Sequence, residues 1–173
     1  MSNLYPVLIV LGSNINRERN IVRAVAMLRR TPHFQLQAAS HLYESAPVGA
    51  SGLQPPYFNA AVLAKTSLSP QLLRDTLRTI EQALGRVRTE VKYAPRTIDM
   101  DIALYGQQVF DLDGRHVPDP DIINFPHLAL PLADVAPTWL HPELGLTLRE
   151  IAGRLEFSNM EVSKVMSTQI AVV

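Results

Sequence analysis

The sequence predicts an α+β fold, a ferredoxin-like βαββαβ sandwich in which helices cover one face of an antiparallel sheet. Between Val7 and Tyr105, segments with strand-like and helix-like apolar spacing follow one another in the order β-α-β-β-α-β. Clusters of glycine, proline and serine separate several of them. The rest of the chain is predicted to be an appended C-terminal segment. We expect residues 1–173 to form a single domain, because 173 residues are few for two.

The first two elements are a buried strand and an amphipathic helix. Val7–Leu11 is a continuous apolar run that stops at Gly12-Ser13-Asn14, which is typical of a strand buried on both faces. Over Asn16–Arg30, apolar residues recur at helical spacing and charged residues, mostly arginines, fill the opposite face.

Two further strands and a second helix are predicted next. Phe34–Tyr43 is predicted to be one extended strand, Glu44–Pro56 a loop, and Tyr57–Thr66 a strand. The helix has clear end signals: Ser69 can serve as N-cap, Pro70 occupies the first helical position, and Gly85 follows the last turn.

The last strand of the sandwich precedes a region with weaker patterns. After a charged loop, Thr97–Tyr105 alternates like a strand. Beyond Gly106 the chain is proline-rich through Pro142, which predicts irregular structure with one short helix. Leu146–Leu155 is predicted to be a last helix, and the tail after Phe157 has little pattern.

Composition limits the classes of function. Sixteen basic and sixteen acidic residues cancel, so no global field favours nucleic acid or an anionic membrane. The absence of cysteine excludes disulfides, thiolate catalysis and zinc–thiolate sites. The apolar run Leu4–Leu11 is too short to span a bilayer. We therefore expect a cytoplasmic monomer without nucleic-acid or membrane partners.

The segment with the most chemical information contains two carboxylates beside three arginines. Asp99 and Asp101 are two apart on a predicted strand, so their side chains project to the same face, with Cα atoms roughly 6.5–7 Å apart. Two such carboxylates suit Mg²⁺, and the guanidinium groups of Arg86, Arg88 and Arg96 suit polyphosphate. Taken alone, the pattern is equally compatible with a solvated strand edge bearing surface ion pairs, each worth about 0–1 kcal/mol.

The flanking sequence resembles the 6-hydroxymethyl-7,8-dihydropterin pyrophosphokinase family. The matches run in order from about residue 8 to residue 152, an extent that a chance similarity would not reach. The segments are Leu11–Asn14, Tyr43–Gly49, Pro56–Val62, Ile80–Glu81, Gly85–Arg88, Pro95–Ile102 and Pro131–Pro137.

This resemblance implies an ATP- and Mg²⁺-dependent diphosphotransferase of folate biosynthesis. The enzyme would transfer pyrophosphate from ATP to 6-hydroxymethyl-7,8-dihydropterin and release AMP. The implied catalytic residues are Arg86, Arg96, Asp99 and Asp101, of which the two aspartates would also hold two Mg²⁺ ions. The implied ATP-binding residues are Glu81, Arg88 and Ile102. Arg115 and His116 are further candidates, because they could supply positive charge that the family pattern has elsewhere. The implied pterin-binding residues are Ser45, Pro47, Val48, Tyr57 and Asn59. Phe125 and His127, which depart from the family pattern, are further candidates because either ring could stack on the pterin.

Some of these residues have a plain structural alternative. Either Tyr57 or its neighbour Phe58 belongs to the core, and the sequence alone does not decide which one. An amide inside an apolar strand needs partners, which favours a binding role for Asn59 over a purely structural one. Glu81 on a helix is by itself typical of a solvated face, and only the resemblance indicates a role near the nucleotide.

The chain departs from the family pattern at three positions. Asp119 stands where the family usually has a histidine that contacts phosphate, and Phe125 and His127 stand where it has an arginine and an aromatic residue. A carboxylate facing phosphate is unfavourable unless it binds metal, turns away, or pairs with a cation such as Arg115 or His116. These departures leave open a non-catalytic or altered-specificity paralogue that binds pterin or nucleotide. An RNA-binding module is disfavoured, because the predicted strands lack paired surface aromatics and the chain is not basic.

Overall fold

The computed structural model describes residues 3–49, 53–91, 93–155 and 162–170. It shows an α+β protein built around one antiparallel sheet. The strands are β1 (Tyr5–Ser13), β2 (Phe34–Ala39), β3 (His41–Ser45), β4 (Tyr57–Thr66), β5 (Asp99–Tyr105), β6 (Phe110–Leu112), β7 (Arg115–Val117) and β8 (Val162–Gln169). The helices are α1 (Arg17–Arg29), α2 (Pro70–Ala83), α3 (Pro126–Val135) and α4 (Leu148–Leu155), with a 3₁₀ turn at Pro120–Ile123.

The sheet places β1 and β4 at its centre. Its order is β5-β1-β4-β3-β8, β2 also pairs with β4, and β6 and β7 form a separate hairpin. The prediction of one strand over Phe34–Tyr43 is wrong, because the chain forms β2 and β3 on either side of Ser40. The Ser40 hydroxyl accepts a hydrogen bond from the Ala61 backbone N–H at 2.9 Å and so takes the place of a backbone acceptor there.

Both faces of the sheet carry a core, because side chains alternate along each strand. On one face, residues such as Val7 and Ile9 pack against α1 and α2. On the other, Leu8 and Ala61 pack against α3 and α4. The sequence predicted one free face. The structure shows that α3 and α4 cover part of it and that a cleft occupies another part.

The end signals of the second helix are confirmed. The Ser69 side chain accepts from the Leu72 backbone N–H at 3.3 Å, and Pro70 begins the helix. Gly85 follows the helix with φ +87°, a left-handed conformation that glycine adopts without the strain a side chain would add. Helix α1 lies within the predicted range Asn16–Arg30.

The region beyond Gly106 is more regular than predicted. Asp113 and Gly114 connect β6 to β7 and have φ +50° and +74°, as a two-residue type I′ hairpin turn requires. The Asp-Gly pair flanked by Leu112 and Arg115 is a recognised hairpin signal that the sequence analysis missed.

The C-terminal tail also contributes an element that was not predicted. Strand β8 pairs antiparallel with β3 and so extends the sheet. The predicted last helix is present as α4, beginning at Leu148 rather than Leu146. Parts of the predicted segments, residues 50–52, 92, 156–161 and 171–173, lie outside the described residues. Within the described residues no helix has both the length and the apolar character needed to cross a bilayer.

Candidate active site

A cleft of about 780 Å³ opens on the face of the sheet opposite α1 and α2. It collects most of the residues that the sequence analysis singled out. Those residues are Ser45, Pro47, Val48, Tyr57, Asn59, Arg96, Asp99, Asp101, Ile102, Arg115, His116, Phe125 and His127. The predicted residues Glu81, Arg86 and Arg88 do not line it.

The two aspartates of β5 both line the cleft, as the alternation predicted. Asp99 accepts from Arg86 at 2.5 Å and is also ion-paired with Arg96. Asp101 pairs with Arg115 at 2.6 Å. Burial alone would raise the pKa of Asp99, but the charges of Arg86 and Arg96 outweigh it and hold that pKa below its usual range. The pKa of Asp101 is raised, first by burial and then by the negative charge of Asp99.

A buried carboxylate, Glu81 of α2, is linked to Asp99 through Arg86. Glu81 is only 2% exposed, and it accepts from Arg86 at 2.5 Å, from Arg88 at 3.0 Å and from the Met100 backbone N–H at 2.8 Å. Arg86 therefore bridges Glu81 and Asp99. Sequence reasoning expected Glu81 near the nucleotide, which stays a prediction; the structure shows that Glu81 contacts the arginine that also pairs with Asp99.

Burial and the charges of neighbouring side chains shift the pKa values of both Glu81 and Arg86. Burial raises the pKa of Glu81 despite its cationic partners. Burial would lower the pKa of Arg86, yet Asp99 and then Glu81 keep it above its ordinary value. Two carboxylates lie 2.5 Å from Arg86, whereas the second cationic partner of Glu81, Arg88, has a side chain that is 58% exposed.

The charges around the cleft nearly balance. Among the described lining residues, the carboxylates are Asp99, Asp101, Asp119 and Asp121 and the guanidinium groups are Arg74, Arg96 and Arg115. A highly charged anion would therefore bind poorly unless cations accompanied it. No group of three or more His, Asp and Glu side chains suited to a metal ion occurs in the described part of the chain. Arg74 was not singled out from the sequence, because one arginine on an amphipathic helix carries no distinguishing signal.

One end of the cleft, which we call the amide end, is built around Asn59. Its amide nitrogen donates to the Ser45 hydroxyl at 2.8 Å and to the Tyr43 carbonyl at 3.2 Å, and the residue is 7% exposed. These contacts fix the rotation of the amide. Its Oδ1 lies 3.6 Å from where a Cβ at Gly12 would be, and both residues line the cleft. The asparagine is thus held by its nitrogen with its oxygen beside the cleft wall.

The structure decides between the neighbouring aromatic residues of β4. Phe58 belongs to the core below α1, with the Arg17 guanidinium 3.7 Å above its ring centre, and Tyr57 lines the cleft. Two further residues of the cleft were missed by sequence reasoning. Gln54 donates from Nε2 to the Tyr93 carbonyl at 2.6 Å and both line the cleft. Tyr93 could have been recognised as a candidate binding residue, because it is an aromatic residue inside a charged loop.

Phe125 and His127 stand together in the cleft wall, with ring centres 5.2 Å apart. Burial lowers the pKa of His127 to about 4, so its imidazole is neutral near pH 7. The pair offers two planar surfaces and no permanent charge at positions where the family pattern has an arginine and an aromatic residue.

Asp119 lines the cleft and also caps the 3₁₀ turn, because its carboxylate accepts from the Asp121 backbone N–H at 2.9 Å. Burial raises its pKa to about 6, and the nearby negative charge of Asp101 contributes. The two cations considered as partners are engaged elsewhere: Arg115 pairs with Asp101, and the His116 ring nitrogens lie 2.9 Å and 3.0 Å from carboxylates of Asp111 and Glu143.

We expect Asp119→Asn to stabilise the fold at neutral pH. A carboxyl whose pKa rises on folding adds stability that is present below about pH 4 and is lost as pH increases through about 6. Each pKa unit corresponds to about 1.4 kcal/mol, and partial contact with water reduces the full value, so we expect a gain of about 1.5 kcal/mol at pH 7.5. Asparagine keeps the acceptor for Asp121. Urea unfolding at pH 7.5 and pH 4.0 measures the difference, and an equal gain at both pH values would contradict this account.

Comparison with known proteins gives consistent matches. The model of the 7,8-dihydro-6-hydroxymethylpterin-pyrophosphokinase (HPPK) family matches residues 8–137. A 2-amino-4-hydroxy-6-hydroxymethyldihydropteridine pyrophosphokinase of Pseudomonas aeruginosa is 36% identical over 156 residues, which are 90% of this chain and 94% of that protein. One of Synechocystis is 35% identical over 147 residues, 84% of this chain and 74% of that protein.

Solved structures agree at the level of the fold. A crystal structure of Plasmodium falciparum HPPK-DHPS superposes with a TM-score of 0.68 at 13% sequence identity. The match covers 89% of this chain but only 45% of that longer one.

Proposed function

This chain belongs to the 7,8-dihydro-6-hydroxymethylpterin-pyrophosphokinase family, and we propose that it transfers pyrophosphate from ATP to 6-hydroxymethyl-7,8-dihydropterin in folate biosynthesis. The observation that carries the proposal is the position of Asp99 and Asp101, which lie in one cleft with both the amide end and a set of arginines. We further propose that residues 1–173 act as one domain, of which residues 5–105 form a variant of the ferredoxin-like arrangement.

The residues of the cleft fit Mg²⁺. Asp99 and Asp101 supply hard carboxylate oxygens, and Mg²⁺ commonly takes one or two such ligands together with phosphate oxygens and water. The near balance of charge in the cleft favours an ATP that arrives with its cations. We propose that Asp99 and Asp101 would hold two Mg²⁺ ions, which would neutralise charge on the phosphates when bound.

The chain's own contribution to the transfer is binding and orientation. We propose that Arg96 and Arg115, which pair with Asp99 and Asp101, also contact the phosphates. The substrate hydroxyl oxygen forms a bond to the β-phosphorus and its proton passes to solvent. The bond from that phosphorus to the α,β-bridging oxygen breaks, its electron pair stays on that oxygen, and AMP leaves. A fixed line of attack and preorganised positive charge supply most of the rate enhancement in such reactions.

The amide end is proposed to hold the pterin. A ring edge with both donors and acceptors needs a polar group in a fixed orientation, and Asn59 is fixed by Ser45 and Tyr43. Tyr57, Phe125 and His127 offer planar surfaces for the ring. The named relatives support the catalytic interpretation over a non-catalytic paralogue.

The direct test is an incubation with ATP, Mg²⁺ and 6-hydroxymethyl-7,8-dihydropterin, followed by separation of the nucleotides and pterins. We expect equal amounts of AMP and the pterin diphosphate, and none of either after chelation of Mg²⁺. Formation of ADP with a pterin monophosphate, or no turnover at all, would contradict the proposal.

Asn59→Ala tests the assignment of the amide end. We expect pterin affinity to weaken by about 1–3 kcal/mol, the range for leaving a buried polar partner unmatched. ATP affinity should change little, because Asn59 lies on β4, whereas Arg115 of the β6–β7 hairpin contacts β5, on the other side of β1. Calorimetry with each ligand measures both affinities, with Gln37→Ala on the exposed side of β2 as control. Parallel losses for both ligands would show that Asn59 acts only on the fold.

A further inference from the structure

The β6–β7 hairpin is tied to helix α2 through its turn. The Oδ2 atom of Asp113 lies 3.0 Å from Nε of Arg74 and 3.3 Å from Nη2 of Arg78. The two arginines are one helical turn apart, so both reach the same carboxylate. Their environments differ, because the Arg74 side chain is 14% exposed and lines the cleft, whereas the Arg78 side chain is 38% exposed and does not.

The same hairpin carries the cation that meets Asp101. Arg115 begins β7 two residues after Asp113, and its Nη1 lies 2.6 Å from Oδ1 of Asp101. A continuous chain of contacts therefore runs from α2 through Arg74, Asp113 and the hairpin backbone to Arg115 and Asp101. Because a two-residue hairpin turn is stiff, a displacement of Asp113 would move Arg115 with it.

The environment of the Arg74 guanidinium is energetically unfavourable, which indicates that the residue is retained for its contact with Asp113. Burial lowers its pKa, and the positive charges of Arg78 and Arg115 lower it further. Its Nε is buried, and its N–H is not aligned on the carboxylate although Oδ2 is 3.0 Å away. The contact is therefore an ion pair without a well-formed hydrogen bond. A hydrophobic residue at this position of α2 would line the same wall without these costs.

We propose that Arg74 is a positioning residue for ATP: through Asp113 it holds the β6–β7 hairpin on α2 and thereby keeps Arg115 over Asp101. The inference rests on the proposed function and adds to it a part of α2 that neither the resemblance nor the sequence pattern indicated. We expect its effect to be on the nucleotide, because Arg115 of the hairpin contacts Asp101 on β5, whereas Asn59 and Ser45 lie on β4 and β3, beyond β1.

The experiment compares Arg74→Ala, Arg74→Lys, Asp113→Asn and the double variant Arg74→Ala/Asp113→Asn, with Arg23→Ala on the exposed face of α1 as a matched loss of one guanidinium. Turnover gives kcat and the KM of each substrate. Calorimetry with Mg²⁺ and a non-hydrolysable ATP analogue gives affinity independently of turnover. Thermal unfolding reports the fold of each variant.

We expect Arg74→Ala and Asp113→Asn each to raise the KM for ATP and weaken the analogue about tenfold, with the pterin KM within about twofold. The double variant should be no worse than the worse single one, since both remove the same link, and Arg74→Lys should recover most of the affinity. Unchanged ATP affinity in Arg74→Ala, equal losses for both substrates, or losses that multiply in the double variant would each overturn the inference.

Failure of the proposed function is distinguishable from failure of this inference. If the unmodified protein forms no AMP, the proposed function is wrong. Calorimetry with the ATP analogue would still test whether Arg74 affects nucleotide affinity. An unmodified protein that is active, beside an equally active Arg74→Ala variant with unchanged analogue affinity, would defeat only the inference.

Discussion

Asp99→Ala and Asp101→Ala are each expected to reduce turnover at least about a thousandfold, equivalent to about 4 kcal/mol of transition-state stabilisation. Each change removes one of the two cleft carboxylates proposed to hold Mg²⁺. Loss of Asp99 also removes a partner of Arg86 and Arg96, and loss of Asp101 removes the partner of Arg115. Both side chains are partly exposed, at 17% and 20%, so we expect the fold to persist. Turnover at increasing Mg²⁺ concentration is the measurement.

Two comparisons make this result specific. Asp75→Ala removes a carboxylate that is 53% exposed on α2, and it should retain full activity. Asp99→Asn and Asp101→Asn keep the shape but not the charge, so they should be nearly as inactive as the alanine variants and should bind Mg²⁺ more weakly by direct titration. Near-normal turnover of either alanine variant at saturating Mg²⁺ would remove the basis of the proposed site.

Glu81→Ala should lower the free energy of unfolding by about 3 kcal/mol, the lower end of the range for removing one partner of a buried ion pair. The carboxylate accepts from Arg86, Arg88 and the Met100 backbone, and its loss leaves a buried backbone N–H without that acceptor. The cost stays at the lower end because Arg86 keeps Asp99. Urea unfolding at pH 7 is the measurement.

Glu81→Gln separates charge from shape. The amide oxygen can still accept from the Met100 backbone N–H, so that donor keeps its acceptor and the stability loss should be smaller than for alanine. Glu18→Ala on the exposed face of α1 serves as a control with little expected change. Equal losses for the alanine and glutamine variants would indicate that the charge, rather than the acceptor, sustains this part of the fold.

Elements with local signals were predictable from the sequence. Helix α2 has an N-cap, a first-turn proline and a terminal glycine, and β4 has an apolar residue at every second position from Phe58 to Ala64, so both were located closely. Strand β8 was missed because its place depends on a partner far along the chain, the edge of β3. The split at Ser40 was missed because a hydroxyl taking over a backbone hydrogen bond leaves no pattern in the apolar spacing.

For the candidate site too, residues with a local sequence signal were predictable and residues that depend on distant contacts were not. Asp99 and Asp101 were predictable because a period of two places them on one face. The burial of Glu81 was predictable, because it lies four residues after Leu77 on the buried stripe of α2, whereas its role near the nucleotide stays a prediction from the resemblance. Arg74 could not be found from the sequence, since its importance depends on a hairpin turn that approaches α2 only in the folded chain.

Strand β8 also bears on how this sheet avoids pairing with other copies of itself. Without β8, the backbone N–H and C=O groups along one side of β3 would be open, and such rows are templates for strand addition and aggregation. Within the described residues β8 is the outermost strand on that side, and it carries exposed Ser163 and Lys164. A lysine on an outer strand discourages the approach of a second sheet, and Lys164 is also held 3.7 Å from Asp134 of α3. Strand β8 thus covers the open edge of β3 and replaces it with an edge that carries a lysine. We expect this to discourage aggregation, a contribution that is separate from catalysis.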